Sequence, residues 1–563
     1  MEYIDVRRLT GPNLLSNKPG SILDVSCSDD EVESLIETWQ QIVNPILEAV
    51  GWGNETTCYA KLTGGVSLAF TAPIDVLYAA SELNEWTWKC IEAGITGSPT
   101  PNFNQSLAKI RQAIEAERNP ALLALERSAS ERQVAFLWDD VEVSIGHGTG
   151  SETWPFRELP QQDNLNWKKY HDVPIGIVTG TNGKTTSVRL ATFILQGTGK
   201  NVGTSCTDWI AVNDQIIERG DWSGPGGARN VLRQTNVDAA VLEAARGGLL
   251  RRGLGVEKAD AALITNIAED HLGDFGSRNL NELLNIKWII SRAVEQSGSL
   301  ILNADDQLLV AKARDYPGKI IWFSLDENDN TVSEHLTDGG LAFVLGGDEL
   351  LKLTAEKREV ICKPADIPIT LGGAARHNVS NSLAAAALTW CLGASITDIS
   401  NGLKGMTQHD NPGRCNIYDI QEFKVLVDFA HNPHAMLALF DMAAALPANR
   451  RLLAFGQAGD RPDELIRELA RGAWSIGLDE VIVSELEIYH RGRNHGEVFE
   501  IIQDELTRCG AHKNQLRHFE LEMDTLDAAL EWARPGDLII MLALGESVAI
   551  QEKLEILSNR SAT

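Results

Sequence analysis

Hydrophobic and polar positions change their rhythm twice along this chain. In the first 150 residues, apolar side chains recur every three or four positions in "DDEVESLIETWQQIVNPILEAVG" and "NQSLAKIRQAIEAE", which predicts two amphipathic helices. Acidic residues at the start of the first suit a helix N-terminus. "VAFLWDDVEVSI" reads as one strand, while "SLAFTAPIDVLYAA" and "NEWTWKCIEAG" are apolar and aromatic. A compact α+β unit is expected here. The following stretch, "GHGTGSETWPFRELPQQDNLNWKKYHD", is polar, rich in Gly and Pro and without period, which predicts a domain boundary near 150–170.

From residue 172 short apolar runs alternate with helical segments. "VPIGIVTG", "DAAVLEAA", "DAALITNI", "SLILNADD" and "KIIWFS" predict a parallel sheet wrapped by helices. Residues 340–370 read as a small β-insertion, and "HNVSNSLAAAALTWCLG" as an Ala-rich helix. After "GMTQHDNPGRCN" the alternation resumes with strands "FKVLVDFA", "RRLLAFGQ", "EVIVSEL" and "DLIIMLAL", which predicts a smaller Rossmann-like domain. The fold class is therefore α/β. Its expected parts are an N-terminal α+β domain (1–165), a central nucleotide-binding domain with a parallel sheet (166–411) and a C-terminal Rossmann-like domain (412–563).

Bulk properties narrow the partners. A length of 563 residues suits three to four domains of roughly 150 residues each. A formal charge of −28 argues against nucleic acid or an anionic membrane as a general partner. Eight cysteines without a C-x-x-C pair read as reduced thiols, and a cytoplasmic location is expected. No apolar run approaches the roughly 20 residues of a membrane span, and "MEYIDVRRLTGPNLL" lacks a signal-peptide core.

The chemistry starts at "GIVTGTNGKTTSVRLATFIL", residues 176–195. A buried strand meets a glycine turn and then a helix. Gly180, Thr181, Asn182 and Gly183 would let backbone N–H groups close around a phosphate, with the helix N-terminus aimed at it. Lys184 would neutralise the β- and γ-phosphates, and the hydroxyl of Thr185, next to Thr186, would ligate Mg²⁺. Val178 stands where the usual loop has its first Gly. Such a loop alone admits a GTPase, a kinase, a motor or a ligase.

"GTNGKTT" resembles the form found in the Mur ligase superfamily, and the resemblance runs on through "VLEAARGG", "TNIAEDHLG", "LNADD", "GGAARHNVSNSLAAAA", "NPGR" and "DFAHNPH" in family order. "VDAAVLEAARGGLLRRGLG", "AGDRPDELIRELA" and "RGRNHGEV" are similar to the Mur-ligase half of the cyanophycin synthetases, and "VRRLTGPNLLS" resembles their opening segment. Those enzymes carry an ATP-grasp domain between the two regions. Here "GHGTG" at 146–150 is followed directly by the phosphate loop at 180, so one ligation is expected rather than two.

The resemblance implies an ATP- and Mg²⁺-dependent amide ligase. It would activate a carboxylate as an acyl phosphate and join it to the amine of an amino acid. It implies Glu243 and His271 as metal ligands, with Asp270 supporting the histidine, and Lys287 as a lysine often carbamylated in the family to hold metal. Asn303, Asp306, Asn378 and Asn381 would lie on the nucleotide side; Arg414 would approach the γ-phosphate and Asp428 the ribose, with His431 and Asn432 in the same turn. The amine substrate would meet the C-terminal domain, where Asp460, Arg461, Glu485 and Arg493 lie at expected strand ends. The acceptor would be an amino acid or a small acidic peptide. "GPNLL" and Trp52, Trp86 and Trp88 are either peptide-binding or core. A peptidoglycan-precursor or folate ligase, and a non-catalytic nucleotide-gated binding protein, are the alternatives. The oligomeric state stays open, although members of the family commonly form dimers or tetramers.

Overall fold

The computed structural model describes residues 1–561 except 271, 274 and 460. The N-terminal part is built on a four-stranded antiparallel sheet ordered Glu2–Leu9, Gly20–Ser26, Gly65–Thr71 and Thr57–Leu62. Helices Val32–Ala49 and Leu77–Thr96 bury Leu35, Trp39, Val43, Ile46 and Leu83 in one cluster with Leu23, Val25, Val66, Leu68 and Phe70 of the sheet. The first strand is absent from the hydrophobic pattern because its opening residues are exposed. "VAFLWDDVEVSI" is a hairpin rather than one strand. The Asp139 carboxylate accepts N–H groups of Val141 and Glu142 at 2.8 and 2.9 Å, turning the chain between Phe136–Trp138 and Glu142–Ile145.

The tryptophans Trp52 and Trp88 are core, and Trp86 packs edge-on against Phe103. "GPNLL" is a joint between domains. Leu254 donates to Pro12 O at 2.7 Å, and a Cβ on Gly11 would come within 2.3 Å of Leu254 O, so only glycine fits there. Asn13 is buried and its Oδ1 accepts from the N–H groups of Leu15 and Ser16.

The central domain holds an eleven-stranded sheet. From Val202–Ser205 the order runs Ala239–Glu243, Ile175–Thr179, Ala259–Ile264, Val294–Asn303, Lys319–Ser324 and Leu341–Gly346, all parallel. Residues 340–370 do not form a separate insertion. Leu341–Gly346 continues the parallel sheet, and Glu349–Thr354 and Arg358–Cys362 extend it antiparallel. Helices Lys184–Gln196 and Arg376–Cys391 cover one face through Val188, Ile194, Leu383 and Leu388. The alanine run of the second helix is fully buried, because small side chains allow close approach to the sheet.

The C-terminal domain has six strands ordered Asn416–Ile420, Phe423–Asp428, Leu538–Leu542, Arg451–Phe455, Glu480–Ser484 and Leu516–Phe519, the last five parallel. The two outer strands, with sequences NIYDI and LRHF, were not legible because polar residues interrupt their apolar positions. No helix among the described residues is long and apolar enough to cross a membrane.

Candidate active site

The strand Ile175–Thr179 lies at the middle of the central sheet, fully buried, and delivers the phosphate loop at its carboxyl end. Sheet order reverses beside it, which is where open α/β sheets place ligands. Gly180 has φ +146°, and a Cβ there would come within 1.8 Å of Thr265 Oγ1. Gly183 has φ +82° and would strike Asn381 Oδ1 at 2.2 Å. The loop is fixed by its neighbours. Thr181 N–H donates to Asn266 O, Asn182 N–H to Asn266 Oδ1, and Thr265 Oγ1 to Asn182 O. No side chain among the described residues caps the helix that starts at Lys184, so its first N–H groups suit an anion. Lys184 Nζ rests on Thr181 O at 2.8 Å.

Glu243, at the carboxyl end of its strand, is 2% exposed. It accepts from Thr185 Oγ1 at 3.0 Å and from Thr207 Oγ1 at 2.7 Å, and makes no ion pair among the described residues. A buried carboxylate so placed calls for a cation. Its oxygens and the Thr185 hydroxyl form a hard donor set that fits magnesium. His271 lies outside the described residues, so the second metal ligand has no structural account here.

Lys287 closes the helix Leu280–Lys287 and is buried; Nζ donates to Gly180 O at 2.8 Å. Burial, then the charge of Lys184, hold its ammonium well below the usual lysine range. That backbone contact gives the lysine a partner at the phosphate loop, and no contact among the described residues supports a carbamate.

Thr181, Lys184, Thr185 and Lys287 line a cleft of about 1030 Å³ between the central and C-terminal domains, and Glu243, which does not line it, is reached through the Thr185 hydroxyl. Asn303, Asp306, Asn378 and Asn381 line it as well. Each also braces the framework. Asn303 Nδ2 donates to Thr265 O, Asp306 caps the helix Gln307–Ala313 and accepts from Ile267 N–H, Asn378 Nδ2 donates to Ile369 O, and Asn381 Nδ2 to Asn378 Oδ1.

The opposite wall carries Arg414, Asp428 and His431. Asp428 accepts from Cys415 N–H at 2.8 Å and from Ala430 N–H at 2.7 Å; Arg414 lies over the Phe429 ring and 3.5 Å from Asp208. His431 Nε2 is 3.7 Å from Asp270. Asn432 and Asn182 exchange side-chain hydrogen bonds at 2.8 and 3.2 Å, joining the C-terminal domain to the phosphate loop.

Of the four expected substrate residues, Arg461 lines the cleft and Asp460 lies outside the described residues. Glu485 and Arg493 brace loops instead. Glu485 accepts from His490, His518 and Gly496 N–H, and Arg493 donates to Gly459 O, Arg461 O, Asp463 and Glu497. Thr207, His377, Cys415, Gln457, Tyr489 and Arg491 also line the cleft and were missed. Gln457, just past the strand Arg451–Phe455, and Tyr489 and Arg491, past Glu480–Ser484, were signalled beforehand only by lying beyond strand ends.

The Mur ligase middle domain matches residues 178–389, and the Mur ligase glutamate ligase domain matches residues 413–545. A cyanophycin synthetase of Geminocystis herdmanii is 36% identical over 371 residues, 64% of this chain and 42% of that protein. One of Crocosphaera subtropica is 33% identical over 374 residues, 66% of this chain and 42% of that protein. The chain thus spans about two fifths of the length of these curated relatives. A structure of E. coli FolC in complex with DHPP and ADP has a TM-score of 0.50 at 20% identity, over 68% of this chain and 89% of that one, a likeness of fold.

Proposed function

The chain belongs to the Mur ligase family by both its middle and its C-terminal domain, and from that premise we propose that it is an ATP-dependent amide ligase with one active site, in the cleft between them. The observation that carries this reading is the contact of Thr185 with buried Glu243 beside Lys184, facing Arg414 and Asp428 across the cleft.

In the proposed reaction a substrate carboxylate oxygen attacks the γ-phosphorus of ATP, the bond to the β-phosphate oxygen breaks, and ADP leaves. The amine of an amino acid then attacks the acyl carbon, inorganic phosphate departs, the nitrogen loses a proton, and an amide remains. Both steps put negative charge on oxygens near the γ-phosphate. Magnesium, held by Glu243 and Thr185, would supply Lewis-acid stabilisation of that charge. Lys184, the helix N–H groups and Arg414 would stabilise it from either side of the cleft. The site excludes water best with the C-terminal domain closed, as the Asn182–Asn432 pair holds it.

The likeness to cyanophycin synthetases supports an acceptor with a free carboxylate, such as aspartate or a short acidic peptide. The test is a matrix of ATP, Mg²⁺, single amino acids and such acceptors, read by ADP release and by a product mass equal to the two substrates less water. Absence of ADP in every pairing would overturn the reading.

A further inference from the structure

Gln457 follows the strand Arg451–Phe455 at its carboxyl end and lines the cleft at 4% exposure. Its carboxamide is poorly served. Nε2 reaches only the sulfur of Met436 at 3.3 Å, a weak acceptor, and Oε1 has no hydrogen-bond partner among the described residues. Exchanging the two amide atoms does not help, since the nitrogen would then lack an acceptor. A buried amide oxygen without a donor is unfavourable, so a ligand N–H is the missing partner.

The surroundings define that ligand. Arg461, Tyr489 and Arg491, from the same C-terminal domain, also line the cleft. Arg493 fixes the backbone of Arg461 by donating to its carbonyl at 2.7 Å. The loop bearing Tyr489 and Arg491 is clamped by the Glu485 carboxylate, which takes His490 Nε2 at 2.8 Å and Gly496 N–H at 3.0 Å. That clamp also holds Arg491 in a left-handed conformation, φ +45°, that a non-glycine residue does not adopt freely. An acceptor for N–H and two guanidinium groups together match a free amino acid, amine on one side and carboxylate on the other.

We propose that Gln457 is a substrate-binding residue, its carboxamide oxygen accepting an N–H of the incoming amino acid whose carboxylate faces Arg461 and Arg491. The proposal rests on the ligase reading above. It places the nucleotide on the opposite wall, at the phosphate loop, and asks no proton transfer of Gln457.

The test uses the full chain with Mg²⁺ and a non-hydrolysable ATP analogue. Each of the common free amino acids is added singly, and binding is read by saturation-transfer NMR. Wild type is expected to bind one or a few. Gln457→Leu is expected to weaken that binding tenfold or more, while Gln457→Glu, which keeps an acceptor oxygen, stays within about threefold. Affinity for the ATP analogue should hold within twofold in both variants, which also reports that they are folded. Amino-acid binding unchanged in Gln457→Leu, a loss of analogue affinity instead, or no amino acid bound by wild type would each overturn the proposal. Amino-acid binding that depends on Gln457 in a protein that forms no ADP with any acceptor would support this site while sinking the ligase reading.

Discussion

Glu243 is a carboxylate that the fold buries and that no basic side chain among the described residues meets in an ion pair. Glu243→Gln keeps the shape and one acceptor oxygen while removing that charge. Half-saturating Mg²⁺ for ADP formation is expected to rise tenfold or more, at least as much as disturbing a ligand's support costs. Stability measured without metal should not fall, because a buried unpaired charge has been removed. A large loss of metal-free stability would contradict the metal-site reading.

His147 shows the same logic with the opposite sign. It is 3% exposed, neither ring nitrogen has a hydrogen bond among the described residues, and burial pushes its pKa down to about 3 from 6.5. Because the folded value is depressed, the unfolded chain takes the proton first. Stability is complete above about pH 7 and is lost as pH falls through 6.5 toward 3, by about 1.4 kcal/mol between pH 7.5 and 5.5. Glu126 opposes this: burial, then the Glu257 charge, push it up to about 7, so folding gains as pH falls through that value. Urea unfolding at the two pH values isolates the histidine. His147→Leu should lose about 1.4 kcal/mol less than wild type on acidification, and an equal pH dependence would refute the assignment.

At the scale of elements, the connection into the C-terminal domain is fastened to the phosphate-loop helix. Arg189, on that helix and buried, donates to Asn411 Oδ1 at 3.2 Å and Pro412 O at 3.1 Å, pairs with Asp208 and stacks on Trp209. Asp208 also lies 3.5 Å from Arg414. One carboxylate therefore serves the linker and the arginine on the far wall of the cleft. Asp208→Asn leaves Arg189 buried without its counter-ion and should cost about 3 kcal/mol. Limited proteolysis should then cut faster within 405–415, and ADP formation should fall because Arg414 loses its orientation. Wild-type cleavage rates in this variant would show that the linker is held by something else.

At the scale of the molecule, the N-terminal domain grips the helix that ends in Lys287. Glu282, buried, accepts from Thr63 N–H at 2.5 Å and from Arg278 N–H at 2.7 Å, and Arg278 returns a bond to Thr63 O. A hairpin of the first domain thereby reaches one end of an element whose other end touches the phosphate loop. Glu282→Ala removes two charge-assisted hydrogen bonds and should cost about 3 kcal/mol in urea unfolding. ADP formation should drop in parallel. Unchanged stability would mean that the two domains are joined elsewhere, for example through Gly11 and Leu254.

The order of the α/β elements, the phosphate loop and the helices beside it were legible along the chain. A 3.6-residue period, a buried apolar strand and a Gly-rich turn are local properties, set by backbone sterics and by which side chains avoid water. Family likeness added Glu243, Lys287, Arg414 and Asp428. What Thr207 does for Glu243, what Asp208 does for Arg414, and why Glu485 and Arg493 brace loops while Gln457 lines the cleft could not be read there. Those pairings join positions brought together by strand order and by the docking of one domain on another. Both depend on long-range packing that leaves no periodic trace in the residues themselves, so only the tertiary structure decided them.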